Sequence, residues 1–109
     1  MAFYMTQFGY TSEAWASLSK KPEDRSKTVA SLIEKFGGRM HEMYYSFGKY
    51  DGVIIFEAPD DQSAAAVAVA AVAPGHVAKI LTTPLFTIQE AMTIMTKAGK
   101  VNYTAPSGK

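Results

Sequence analysis

The sequence predicts an α+β domain, and three observations carry that reading. Four short β-rich runs are separated by segments of helical spacing with cap and stop signals, in the order β-α-β-β-α-β followed by a last helix. A proline, Pro84, stands in the fourth run, where it cannot donate to a ladder, so that run belongs at a sheet edge. With 109 residues, 48% of them apolar and 19% charged, the chain can build one core but not two.

The first strand is Ala2 to Tyr10, aromatic and bulky up to Gly9, and Thr11-Ser12-Glu13 then opens a short helix. Pro22-Glu23-Asp24 reads as the first turn of a second helix. Its apolar face, Val29, Leu32, Ile33 and Phe36, recurs at i, i+3, i+4 and i+7 until Gly37-Gly38 stops it. Arg39 to Phe47 and Gly52 to Ala58 form a hairpin around Gly48-Lys49-Tyr50-Asp51, where Gly48 supplies a positive φ and Asp51 bonds nearby backbone.

After Pro59, Asp60 or Asp61 caps a helix that runs through Ala64 to Ala73 and ends at Pro74-Gly75; its small side chains suit close packing on a sheet. His76 to Phe86 is the fourth strand. Thr87 and Glu90 fit a capping box for a final helix with Ile88, Ala91, Met92 and Met95 on one side, up to Gly99. Residues 1–100 are read as one domain and 101–109 as a loose C-terminal tail.

Right-handed crossovers in this order give the split βαβ, ferredoxin-like arrangement, with the fourth strand at an edge beside the first. Helices cover one face of such a sheet, so the other should be polar. Here both faces are apolar. Phe3 and Met5 oppose Tyr4 and Phe8, Met40 and Tyr44 oppose Met43, Tyr45 and Phe47, and Val53 and Ile55 oppose Ile54 and Phe56. An exposed apolar patch of that size predicts a homodimer through the sheet faces; the alternative is that the C-terminal helix and tail fold over the second face of a monomer.

Several function classes are excluded or disfavoured. A net charge of +1 with scattered Lys and Arg gives no footprint for nucleic acid or an anionic membrane. The run Asp51-Gly52-Val53-Ile54-Ile55-Phe56-Glu57-Ala58 lacks the leading base and spaced aromatics of an RNA-stacking strand. The absence of cysteine removes thiolate nucleophiles, disulfides and Cys-ligated metals. The longest apolar run, Ala64 to Ala73, falls short of the roughly 20 residues of a spanning helix, and the N-terminus has no signal-like h-region, so the cytoplasm is the expected compartment. His41 and His76 lie on different strands without partners at ligand spacing; no metal or cofactor is expected.

Gly37-Gly38-Arg39, Tyr44, Gly48-Lys49-Tyr50-Asp51, Phe56-Glu57-Ala58-Pro59-Asp60-Asp61 and Thr82-Thr83-Pro84 occur in an order that resembles the GYD domain family, over about residues 3 to 90. Lys49 stands inside what that family writes as Gly-Tyr-Asp. The resemblance implies a dimeric α+β barrel and no catalytic residue, since the family has no established activity. By fold analogy, a lumen between two sheets is a small-molecule site, and dimeric barrels include cofactor-free monooxygenases, isomerases and haem-degrading enzymes.

The expected lining of such a lumen is the polar strand set Tyr4, Thr6, Glu42 and Tyr44, set against Phe3, Met5, Met43 and Tyr45 on the helix-packed face. Glu42 is the carboxylate of that set and a candidate base. Tyr50 and Asp51 present a phenol and a carboxylate at a cleft mouth, although the same residues serve a turn. Neither set contains a nucleophile-base pair, so binding, cofactor-independent catalysis and a purely structural role all stay open.

Overall fold

The computed structural model describes residues 1–107. It contains β1 (Ala2–Tyr10), α1 (Ser12–Lys20), α2 (Ser26–Lys35), β2 (Arg39–Tyr45), β3 (Gly52–Ala58), α3 (Asp61–Val72), β4 (Val77–Leu85) and α4 (Ile88–Gly99). The four strands form one sheet in the order β2-β3-β1-β4, antiparallel throughout. This is the ferredoxin-like topology, and Pro84 lies on the edge strand β4 as the missing donor requires. Gly108 and Lys109 of the expected tail lie outside the described residues, and 101–107 form no helix or strand.

Local signals set the helix ends. Thr11, Asp60 and Thr87 each cap through a side-chain oxygen, and Thr87 with Glu90 makes the reciprocal capping box. α2 closes in a Schellman turn: the Gly37 N–H donates to the Glu34 carbonyl and the Gly38 N–H to the Ile33 carbonyl, with Gly37 at φ 81°. Gly38 has a further constraint, because a Cβ there would stand 2.2 Å from the Glu57 carbonyl oxygen.

Two local expectations are corrected. α2 begins at Ser26 rather than at Pro22, because the Asp24 carboxylate accepts the Ser26 N–H at 2.9 Å and so holds the preceding segment in a turn. The positive φ of the hairpin falls on Phe47 (53°) instead of Gly48. Such a conformation costs about 1–3 kcal/mol for a bulky residue. It is held by stacking of the Phe47 ring on Tyr45, 5.8 Å away at 7°, and by the nearby Trp15 ring.

The core lies on one side of the sheet. Tyr4, Phe8, Ile54 and Phe56 from the central strands pack with Ile33 of α2 and Ala64 and Val67 of α3. α4 packs extensively on nothing among the described residues: Ile88 is 79% exposed and Met95 67%. The radius of gyration, 17.8 Å, shows the same thing, since a compact chain of this length has roughly 13 Å. α4 therefore extends from β4 and does not fold back over the sheet. No helix among the described residues is long and apolar enough to cross a membrane.

Candidate functional site

Directly opposed residues of antiparallel strands share a face, so the ladder registers assign every side chain. Tyr4 pairs with Phe56 and Pro84, and Thr6 with Ile54 and Thr82, on the helix-covered face. Phe3 pairs with Glu57 and Leu85, Met5 with Ile55 and Thr83, and Gln7 with Val53 and Leu81, on the other. None of this second group is buried, and no described element packs over it.

β2 carries one extra residue. Met40 pairs with Phe56 and Glu42 with Ile55, leaving His41 as a bulge. The bulge breaks the simple alternation: Met40 points to the helices while Glu42 and Tyr44 point to the open face. The expected lining set is thereby divided. Tyr4 and Thr6 lie under the helices, and only Glu42 and Tyr44 share the open face. The expectation that Met40 and Tyr44 lie on one side of β2 fails for the same reason.

Each of the six singled-out residues has a definite place. The Tyr4 hydroxyl, in a side chain 2% exposed, donates to Asp61 Oδ1 at 2.5 Å, and this bond together with burial pushes the phenol up to about 12. Thr6 Oγ1 meets Thr82 Oγ1 at 2.8 Å. Tyr44 is exposed, and hydrogen bonding with Glu42, then the Glu42 charge, holds its phenol above the ordinary value. The Asp51 carboxylate accepts the Tyr10 N–H at 2.8 Å and the Trp15 indole N–H at 3.1 Å, tying the hairpin to β1 and α1. The Lys79 ammonium stands 4.8 Å over the Tyr50 ring. Tyr50 and Asp51 thus sit at the turn end of the sheet, away from Glu42.

The bulge also assembles a polar cluster that sequence reasoning missed. His41 Nε2 lies 2.6 Å from Glu57 Oε2, the same oxygen receives Arg39 at 3.5 Å, and the imidazole packs 5.3 Å from the Phe3 ring. The three charged or titratable groups stand at one end of an open face whose other residues are mostly apolar, with Gln7, Glu42, Tyr44 and Thr83 among them. With a proton on Nε2 for the carboxylate, Nδ1 is an acceptor without a protein partner among the described residues. His41 and Glu57 are 16 positions apart and on adjacent strands, and no spacing signal links them before the register is known.

Comparison with known proteins bears on the fold and the family. The crystal structure of MtbAldR is similar to this one with a TM-score of 0.57 at 14% identity, over 79% of this chain and 53% of that one, a likeness of fold. The chain spans about half the length of that protein. No curated protein matches by sequence. The GYD domain model matches residues 4–95, from β1 into α4, and the chain belongs to the GYD domain family.

Proposed function

We propose that the chain works as a homodimer whose open sheet faces meet and enclose a chamber for a small organic molecule, oriented by His41, Glu57, Glu42 and Tyr44. One observation carries the reading: the face bearing Phe3, Met5, Val53, Ile55 and Leu81 is largely apolar and uncovered, with Gln7 and Thr83 as polar residues on β1 and β4 and its charged groups, Glu42, Glu57 and the adjoining His41, at the β2 side. Isolated apolar patches beyond a few hundred Å² mark interfaces. An apolar enclosure with few convergent polar groups is what a small-molecule site requires.

A second reading, turnover without a cofactor, is favoured by the His41–Glu57 pair. A carboxylate that fixes the imidazole tautomer leaves the opposite nitrogen free to take a proton from a bound substrate. Sedimentation equilibrium at micromolar protein tests the dimer, with about twice the 11.8 kDa chain mass expected. A thermal-shift screen of small aromatic and phenolic acids tests the chamber. Hits should raise the melting point by several degrees at saturation and lose that shift in Tyr44→Phe or His41→Ala. A monomer mass, or hits indifferent to both substitutions, defeats the reading.

A further inference from the structure

The two helices over the sheet do not close against each other. α2 lies on β2 and α3 on β4 and β3. Across the gap, α2 presents Val29 and Leu32, but α3 presents only Ala70 and Ala71, whose methyl groups are too short to fill it. The result is a cleft of about 510 Å³. It meets a second cleft of about 550 Å³ between α1, the segment before α2 and the α3–β4 turn, and Arg25, Pro74 and His76 border both.

Below Arg25 and Val29 a small cavity of about 50 Å³ reaches down to the sheet between Phe8, Met43, Ile54 and Val77. Of the two hydroxyl side chains that line it, Thr6 is paired with Thr82 and Tyr10 with Tyr45, and the rest of the lining apart from Arg25 is apolar. Arg25 is the side chain common to all three spaces.

Charge selects the ligand. The α2–α3 cleft is rimmed by Arg25, Lys27, Lys35 and His76 and by no carboxylate, although the whole chain carries only +1. Arg25 pairs with Glu23 at 3.2 Å, but the Glu23 side chain is 58% exposed. Such surface pairs contribute little and exchange readily. A guanidinium beside a partly apolar cleft is suited to a carboxylate, which it can grip with two parallel N–H donors.

We infer that the α2–α3 cleft binds a small amphipathic carboxylate, its head on Arg25 beside His76 and its apolar tail between Val29, Leu32 and the α3 alanines. This site lies on the opposite side of the sheet from the open face. It goes beyond the dimer reading and stands or fails independently of it.

Isothermal titration of the full chain with octanoate and with octanamide, the neutral isostere, tests the inference. The expected result is saturable binding of one octanoate per chain, at least tenfold tighter than octanamide, with Arg25→Gln reducing octanoate to the amide's affinity. Ala71→Leu, which fills the cleft, should weaken both ligands. Amide-resonance mapping should place the octanoate-induced shifts at Val29, Leu32 and Ala71. Equal affinity for acid and amide in the unsubstituted protein overturns the site, with no dependence on how a variant folds. Non-saturable heats, shifts centred on Val53 and Ile55, or inorganic phosphate competing as well as octanoate overturn it too.

Discussion

The Tyr4 hydroxyl donates to Asp61 Oδ1 across 57 positions of sequence, joining the middle of the sheet to the first turn of α3. A carboxylate at that position also suits the helix dipole. The bond, helped by burial, raises the Tyr4 phenol from 10.0 to about 12. The native state therefore favours the neutral phenol. Its contribution to stability is complete below pH 10 and is lost as pH rises through 12. Urea unfolding should show wild type more stable than Tyr4→Phe by about 1 kcal/mol at pH 8, with that advantage shrinking between pH 10 and 12. Tyr10 is also raised, mainly by burial, but is present in both proteins and cancels in the difference. An advantage that is constant to pH 12 would contradict the assignment.

Asp51 makes two tertiary hydrogen bonds through one oxygen, to the Tyr10 N–H and to the indole of Trp15. Asp51→Ala should cost about 2 kcal/mol, from two hydrogen bonds at roughly 1 kcal/mol each. Asp51→Asn, which keeps an acceptor oxygen, should cost less than half of that. Trp15 is the sole tryptophan, so its fluorescence reports the change directly: a red shift is expected in Asp51→Ala and little in Asp51→Asn. Equal losses in the two variants would mean that charge, and not the acceptor, matters there.

These residues show how far the sequence could be read. Capping residues, glycine stops and Pro84 act within a few positions of chain, and each element and the strand order followed from them. Plain alternation sorted the side chains of β1 and β3 into two sets, but the side that meets the helices was inverted for β1: Tyr4 and Thr6 lie under the helices, and Phe3 and Met5, expected there, lie on the open face. β2 did not yield, because a bulge at His41 depends on pairing with β3 and nothing in Arg39-Met40-His41-Glu42 announces it. One extra residue moved Met40 across the sheet from Tyr44, separated Tyr4 and Thr6 from Glu42, and created the His41–Glu57 contact. The α2–α3 cleft was equally hidden: the alanines of α3 suggest close packing on a sheet, and they do pack there, but the gap they leave toward α2 depends on where α2 lands.

The His41–Glu57 bond should behave as a real coupling. Both side chains are partly buried, and the distance of 2.6 Å is that of a charge-assisted bond. In a double-mutant cycle at pH 7, His41→Ala and Glu57→Gln should show an interaction energy of about 0.5–1.5 kcal/mol. Arg39→Ala, whose guanidinium is mostly exposed and 3.5 Å away, should couple to Glu57 by less than 0.5 kcal/mol. A cycle in which Arg39 couples more strongly than His41 would reverse the roles assigned to them.

α4 gives the dimer reading its sharpest test, because its surface has no other work in the described fold. Ile88, Met92 and Met95 are exposed on a helix that is independently capped. In a monomer, a charge at Met95 would change stability by no more than about 0.5 kcal/mol, as at any exposed position. In a dimer where α4 lies against the partner, the same charge must be desolvated. Met95→Lys should therefore raise the dimer dissociation constant at least tenfold, or about 1.4 kcal/mol, while leaving far-UV circular dichroism unchanged. Ile55→Lys, in the middle of the open face, should weaken association further. If Met95→Lys has no effect on sedimentation but Ile55→Lys gives a folded monomer, the sheets alone make the interface. If both variants sediment as wild type, the open face is not the dimer contact, and the enclosed chamber goes with it.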